Sequence, residues 1–249
     1  MFEITVSSAK TKNRDIPFII DKLRPKIKAI KAIMVCEEFD GRVNLAVATQ
    51  EKNKDELLSH VFDVVSEAIV RNYKYSMLLN CLKNKINDEI MLFTFTKALT
   101  VFDKTSDKDF IKAKLKPTSV INIDSFYYFK LWELEKRWNN LASLLCENNE
   151  YIMSKENINE LMRFLLNTNE AEYGEIFLHL KENKVLAKST GGAEIFSFEY
   201  NNDNNSIIKI ISELIGLSPQ KIVLSKEVAG LEIASYLTNL YDGKVSILK

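Results

Sequence analysis

Ile33-Met34-Val35-Cys36-Glu37-Glu38-Phe39-Asp40-Gly41-Arg42-Val43-Asn44-Leu45-Ala46-Val47-Ala48-Thr49 is the stretch on which the fold turns. Residues 33–37 and 43–49 are two β-rich runs, and the Asp-Gly step between them favours the positive φ of a tight hairpin turn. Upstream, residues 2–6 alternate as a short strand. Asp15 followed by Pro17 then opens a helix with Ile16, Ile19, Ile20 and Leu23 on one face. Pro25 is expected to kink or end it. Downstream, Leu57, Leu58, Val61, Val64, Val65, Ala68 and Ile69 recur at three and four along a long helix from Asp55 to about Leu82, expected to close the sheet. The N-terminal part, residues 1–87, therefore reads β-α-β-β-α.

Further along, residues 88–172 show little strand alternation and break at Pro117, which predicts a helical middle. Asp124 is read as the N-cap of a helix running through Phe126, Phe129, Leu134, Trp138, Leu141 and Leu145, and Ser154 as the start of another. After Gly174 the period changes to two. Residues 176–180, 185–188 and 194–198 form an expected meander with turns at Glu182-Asn183 and Thr190-Gly191-Gly192. A helix from Ser206 to Gly216, a strand at 221–224, a helix at about 228–241 and a strand at 245–248 complete residues 173–249, the last three as a parallel βαβ unit. The fold class is α/β (α+β): an N-terminal β-α-β-β-α unit, a helical middle, and a C-terminal β-meander plus α-β-α-β.

The 249 residues are 46% hydrophobic and 27% charged, with 34 Lys and Arg against 34 Asp and Glu. That balance excludes a disordered or disulfide-dense chain and demands neither nucleic acid nor anionic lipid as partner. Cys36, Cys81 and Cys146 form no C-x-x-C pair, so reduced thiols and a cytoplasmic location are expected. No apolar run approaches the ~18 residues of a membrane span, and the alternating start argues against a signal peptide.

Candidate chemistry is sparse. His60 shares a helical stripe with Glu56, Asp63 and Glu67, which could be a metal or acid/base cluster or a solvated face with a Glu-His pair. No second His or Cys completes a ligand set, which favours the solvated face. His179 falls on the polar side of a strand. No nucleophile motif or glycine-rich phosphate cradle is present, so no cofactor or metal is expected and catalysis is disfavoured. Ser225 and Lys226, opening a helix within the βαβ unit, are weak ligand candidates at the carboxyl ends of parallel strands. A basic stretch from Lys10 to Lys31, including Lys12, Arg14, Arg24, Lys26 and Lys28, is read as a solvated surface rather than a nucleic-acid site.

Phe126, Tyr127, Tyr128, Phe129, Trp132 and Trp138 put six large rings into one helical stretch, more than a single face can bury. Phe126 and Phe129 are expected in the core, with Tyr127 or Tyr128, and also Trp132, available at an interface.

At this aromatic helix the chain resembles a family. Asn122-Ile123-Asp124-Ser125-Phe126-Tyr127-Tyr128-Phe129-Lys130-Leu131, Asn159-Glu160-Leu161-Met162-Arg163-Phe164, the meander, Ser218-Pro219-Gln220-Lys221-Ile222-Val223-Leu224 and Asp242-Gly243-Lys244-Val245-Ser246-Ile247 resemble, in order and spacing, the YtxC-like sporulation proteins of endospore-forming bacteria. The resemblance implies a biological setting and carries no catalytic residues. The expectation is a non-catalytic, sporulation-associated cytoplasmic protein acting through an unknown protein partner or self-association. The alternative is a small-ligand or nucleotide-dependent enzyme using the C-terminal βαβ crevice.

Overall fold

The computed structural model describes residues 1–12, 15–147, 154–168 and 173–248. Arg14, and the side chains of Lys12, Leu145 and Cys146, lie outside the described residues. In chain order the elements are β1 (Phe2–Ala9), α1 (Asp15–Lys28), β2 (Ile33–Phe39), β3 (Arg42–Thr49), α2 (Lys54–Ile69), a π turn (Val70–Lys74), α3 (Tyr75–Leu82), α4 (Glu89–Val101), α5 (Lys104–Lys114), β4 (Val120–Asn122), α6 (Ile123–Lys130), α7 (Trp132–Glu147) and α8 (Lys155–Thr168). They continue with β5 (Tyr173–Lys181), β6 (Lys184–Ser189), β7 (Glu194–Glu199), α9 (Asn204–Leu217), β8 (Pro219–Leu224), α10 (Lys226–Ala229), α11 (Glu232–Leu240) and β9 (Val245–Ile247). Mixed α/β content in two sheets agrees with the expected class. Among the described residues no helix is long and apolar enough to cross a membrane.

Two compact units form: residues 1–77 with 103–141, and residues 78–102 with 142–249. The expected division at 87 and 172 differs from this, because the helical middle is shared between the two units. In the first unit the sheet order is β2-β3-β1-β4, antiparallel except for the β1–β4 pair. Register places Ile4 opposite Val47 and Val6 opposite Leu45. Strand alternation then puts these four side chains on one face, and all are buried against Ile16, Ile19 and Leu23 of α1 and Leu57, Val61 and Val64 of α2. Burying each such side chain contributes about 1.5–3 kcal/mol. The expected hairpin turn is present, with Asp40 and Gly41 at φ 48° and 70°.

Three local expectations change. α1 runs through Pro25 to Lys28, because Pro25 and Asp21 face solvent while Leu23 and Ile27 stay buried, so the missing N–H leaves no carbonyl dry. The long helix is interrupted by the π turn, whose extra residue shifts the helical phase by about 100°. β4, three residues pairing in parallel with β1, lies within the supposed helical middle and is too short to show periodicity.

The second unit has sheet order β7-β6-β5-β8-β9, with the β5–β6–β7 meander antiparallel and β5–β8 and β8–β9 parallel. Glu182 and Asn183, at φ 49° and 58°, form the first meander turn. α9 is capped by Asp203, which accepts from the Ser206 N–H at 2.8 Å, so the helix starts earlier than expected. The final helix is two pieces, α10 and α11. α4, packed against α8 and α9, is buried on nearly every side, and its Thr94, Thr96 and Thr100 hydroxyls donate to the carbonyls of Ile90, Leu92 and Thr96. Cys81 is disulfide-bonded. This departs from the expectation of reduced thiols, since pairing follows the spatial approach of two Cβ atoms rather than spacing along the chain.

Candidate interaction surface and buried polar centres

Residues 120–138 hold the predicted interface. Asn122, not Asp124, caps α6, its side chain accepting from the Ser125 N–H at 3.0 Å. The helix ends at Leu131, where φ and ψ of −112° and 19° break the register, and α7 begins at Trp132. Of the aromatic expectations, the exposure of Tyr128 and Trp132 and the packing of Phe126 on the core hold, while Phe129 is turned out to solvent. Tyr127 is buried, its ring 4.3 Å from that of Tyr73 and stacked 6.3 Å from that of Trp138. Phe126 is half-buried, and Phe129 is 75% exposed rather than in the core. Tyr128 and Trp132 are 56% and 59% exposed. Tyr128 also packs edge-on against Tyr127 at 5.1 Å, which anchors that exposed ring to the core.

Asp124 is released from capping for another role. Its Oδ2 accepts from the Ala9 N–H at 2.8 Å and from Arg42 Nη2 at 3.1 Å, and its Oδ1 accepts from the Tyr73 hydroxyl at 2.9 Å. Arg42 Nε also donates to Ser7 Oγ at 2.7 Å. Beside this, buried Asp15 accepts from Ser8 Oγ at 2.8 Å and from Asn72 Nδ2, with the Tyr73 hydroxyl 3.5 Å away. Burial, then the charges of Asp15 and Asp124, push the Tyr73 hydroxyl far above its ordinary value. A phenol held so firmly protonated is a donor that ties β1, α1 and α6 together, not a base.

A second internal centre joins the π turn, α5 and α7. Lys74 Nζ lies 2.7 Å from Asp107 Oδ2, and Trp138 Nε1 donates to the same oxygen at 3.0 Å. The Lys and Asp side chains are 2% and 5% exposed. Burial lowers Lys74 and raises Asp107, against the attraction each exerts on the other. Nothing local in the sequence marks these centres, whose members come from well-separated parts of the chain.

The stripe on α2 is a charge ladder. His60 Nε2 is 3.7 Å from Glu56 Oε1. Asp63 meets Lys26 at 2.6 Å, Lys112 at 2.8 Å and Lys108 at 3.1 Å, and Glu67 stands 3.7 Å from both Lys104 and Lys108. Burial alone would raise the Asp63 carboxyl, but hydrogen bonds from these three lysines outweigh it and hold it well below the ordinary carboxylate range. Among the described residues no group of three or more His, Cys, Asp or Glu is placed to hold a metal.

In the second unit, Ser225 Oγ accepts from the Val228 N–H at 3.4 Å and caps the four-residue α10, while Lys226 is exposed beside it. His179 is half-buried on the β5 face opposite Ile176 and Leu178. Of the weak candidates the structure joins Glu56 with His60 in the first unit and Ser225 with the Val228 amide in the second.

Fold and site together define an α/β protein whose named titratable centres in the first unit brace elements against each other, and whose α6–α7 junction presents three aromatic rings to solvent. No family model, curated protein or solved structure matches the chain.

Proposed function

We propose that this is a non-catalytic cytoplasmic protein that acts in sporulation through a protein partner bound at the α6–α7 junction. The observation that carries the reading is the trio Tyr128, Phe129 and Trp132, each more than half exposed at the junction that buries Tyr127 and Leu131, with Tyr128 packed edge-on against Tyr127. Aromatic rings fixed on a rigid support are the anchors that protein interfaces use, because they bury large area at little rotamer cost. The motif resembling YtxC-like proteins, Asn122 to Leu131, includes Tyr128 and Phe129, which supports the sporulation setting. The Cys81 disulfide is the feature a reducing cytoplasm would oppose. Thiol labelling in intact cells tests the location: labelling of Cys81 supports the cytoplasm, and protection from label counts against it.

The functional test is a pull-down from sporulating cells with the parent chain and with a Phe129→Ala/Trp132→Ala variant, beside a deletion strain scored for spores. A partner retained by the parent and lost by the variant, together with a sporulation defect, is the expected result. Normal spore counts in the deletion strain, or equal retention by both proteins, would overturn it.

A further inference from the structure

The free edge of the first sheet carries a surface that the reading above does not use. Among the described residues β2 ends the strand order and pairs only with β3, leaving a seven-residue edge. Exposed edges are templates for further pairing. On the face away from the helices, Ile33, Val35 and Phe39 are 64%, 60% and 74% exposed. On the helix side, a groove of about 340 Å³ runs between β2 and α1, walled by Ile27, Met34 and Cys36, floored by Leu45 and rimmed by Arg24 and Lys28.

Charge along this edge changes sign. Arg24 and Lys28 sit beside the start of β2, since the Ala32 N–H donates to the Ile27 carbonyl and folds the end of α1 back onto the strand. Neither meets a carboxylate among the described residues. Glu37 and Glu38 lie at the far end of β2, and of the two Glu38 holds Lys10 at 2.6 Å. With Arg24 and Lys28 of α1 beside one end of the edge and Glu37 and Glu38 at the other, the edge is complementary to itself when turned antiparallel, the exposed Glu38–Lys10 pair being shared with the new contact.

We propose that two copies of the chain pair antiparallel through their β2 edges, about a two-fold axis at Cys36. That register overlaps all seven residues of each strand. Ile33 faces the partner's Phe39 on the outer side, an aliphatic–aromatic cross-strand pair. On the helix side Met34 faces the partner's Glu38, which is brought to the groove under Arg24 and Lys28. The interface is isologous, so each charge match occurs twice and both free edges are consumed at once. It stands apart from the partner surface at α6–α7, and the two are altered by different substitutions.

The test begins with light scattering and sedimentation of the full chain over a concentration series, where a dimer mass is expected. Arg24→Glu with Lys28→Glu should weaken association by roughly tenfold or more, and Glu37→Lys with Glu38→Lys should do the same, because each sets like charges against each other. Mixed in equal amounts, the two variants should associate again. Thermal melts matching the parent show that both still fold. A short bismaleimide should join two parent chains at Cys36, and Cys36→Ser should abolish that product. A monomer mass at every concentration would leave the edge to a strand of another protein and overturn the proposal. So would a dimer insensitive to both charge reversals, or variants that do not recover on mixing.

Discussion

Lys74–Asp107 and the Asp63 ladder both pair lysine with aspartate in the first unit, yet the first is sealed at 2% and 5% side-chain exposure and the second sits at 26% for Asp63. In the sealed pair both partners have lost water, and burial moves each toward its neutral form. In the ladder, Asp63 keeps part of its hydration and gains three ammonium partners, so its charged form is favoured. Paired charges of one chemical kind thus do different work: the sealed pair fixes which elements meet, while the ladder holds α2 against α1 and α5 with redundancy.

The sharpest way to break this contrast is to remove one sealed partner. Asp107→Asn or Lys74→Met should cost about 3–5 kcal/mol, because each strands a buried charge, and should lower the thermal midpoint strongly. The double variant Lys74→Met/Asp107→Leu should recover most of that loss; a double as unstable as the sum of the singles would show that the two side chains are not coupled and would sink the reading of a mutually dependent buried pair. Of comparable size is the aromatic support of the same centre. Tyr127→Ala should cost roughly 3–5 kcal/mol as a core truncation, whereas Phe129→Ala should stay within about 0.5 kcal/mol of the parent. Urea unfolding of the two variants checks the α6 register directly, and the reverse ranking would sink it.

The ladder should give a smaller and pH-dependent effect. Asp63→Asn should cost about 1–3 kcal/mol, since three lysines lose their shared acceptor. The Asp63 carboxyl is lower in the folded chain than unfolded, so its contribution is fully present above the ordinary value of about 4 and is lost as pH falls below it. Melts from neutral to strongly acidic pH should therefore show the parent and Asp63→Asn curves converging on the acid side. Curves that stay parallel would remove the ladder from the acid response. The smallest effect is expected at Tyr241, buried in the second unit with a hydroxyl that meets no hydrogen-bond partner among the described residues. Tyr241→Phe removes an unsatisfied polar group and should match or exceed the parent midpoint. A clear loss would reveal a partner for that hydroxyl.

Much of the fold was legible along the chain. Asp40-Gly41 sets the hairpin, Glu182-Asn183 sets the meander turn, and the recurrences at 57–69 and 176–180 announce a helix and a strand, because each rests on conformational preferences and periodicities that act over a few residues. The aromatic richness of residues 126–138 also marked a stretch too crowded for one face to bury, and Tyr128, Phe129 and Trp132 are exposed while Tyr127 and Trp138 are buried. The register of that stretch was hidden, because the break at Leu131 and the cap at Asn122 depend on Asp124 being drawn to Ala9, Arg42 and Tyr73.

By itself, then, the sequence determined the α/β class, the turns, the buried faces of α1, α2, β1 and β3, and the lack of a local catalytic motif. Tertiary structure alone decided that residues 103–141 join residues 1–77, that Asp15 and Asp124 share Tyr73, that Lys74 is sealed against Asp107, and that β2 keeps an open edge. The physical reason is range: propensity and periodicity are encoded over neighbouring residues, whereas a buried charge, a parallel three-residue strand or a free sheet edge exists only once distant segments have excluded water together.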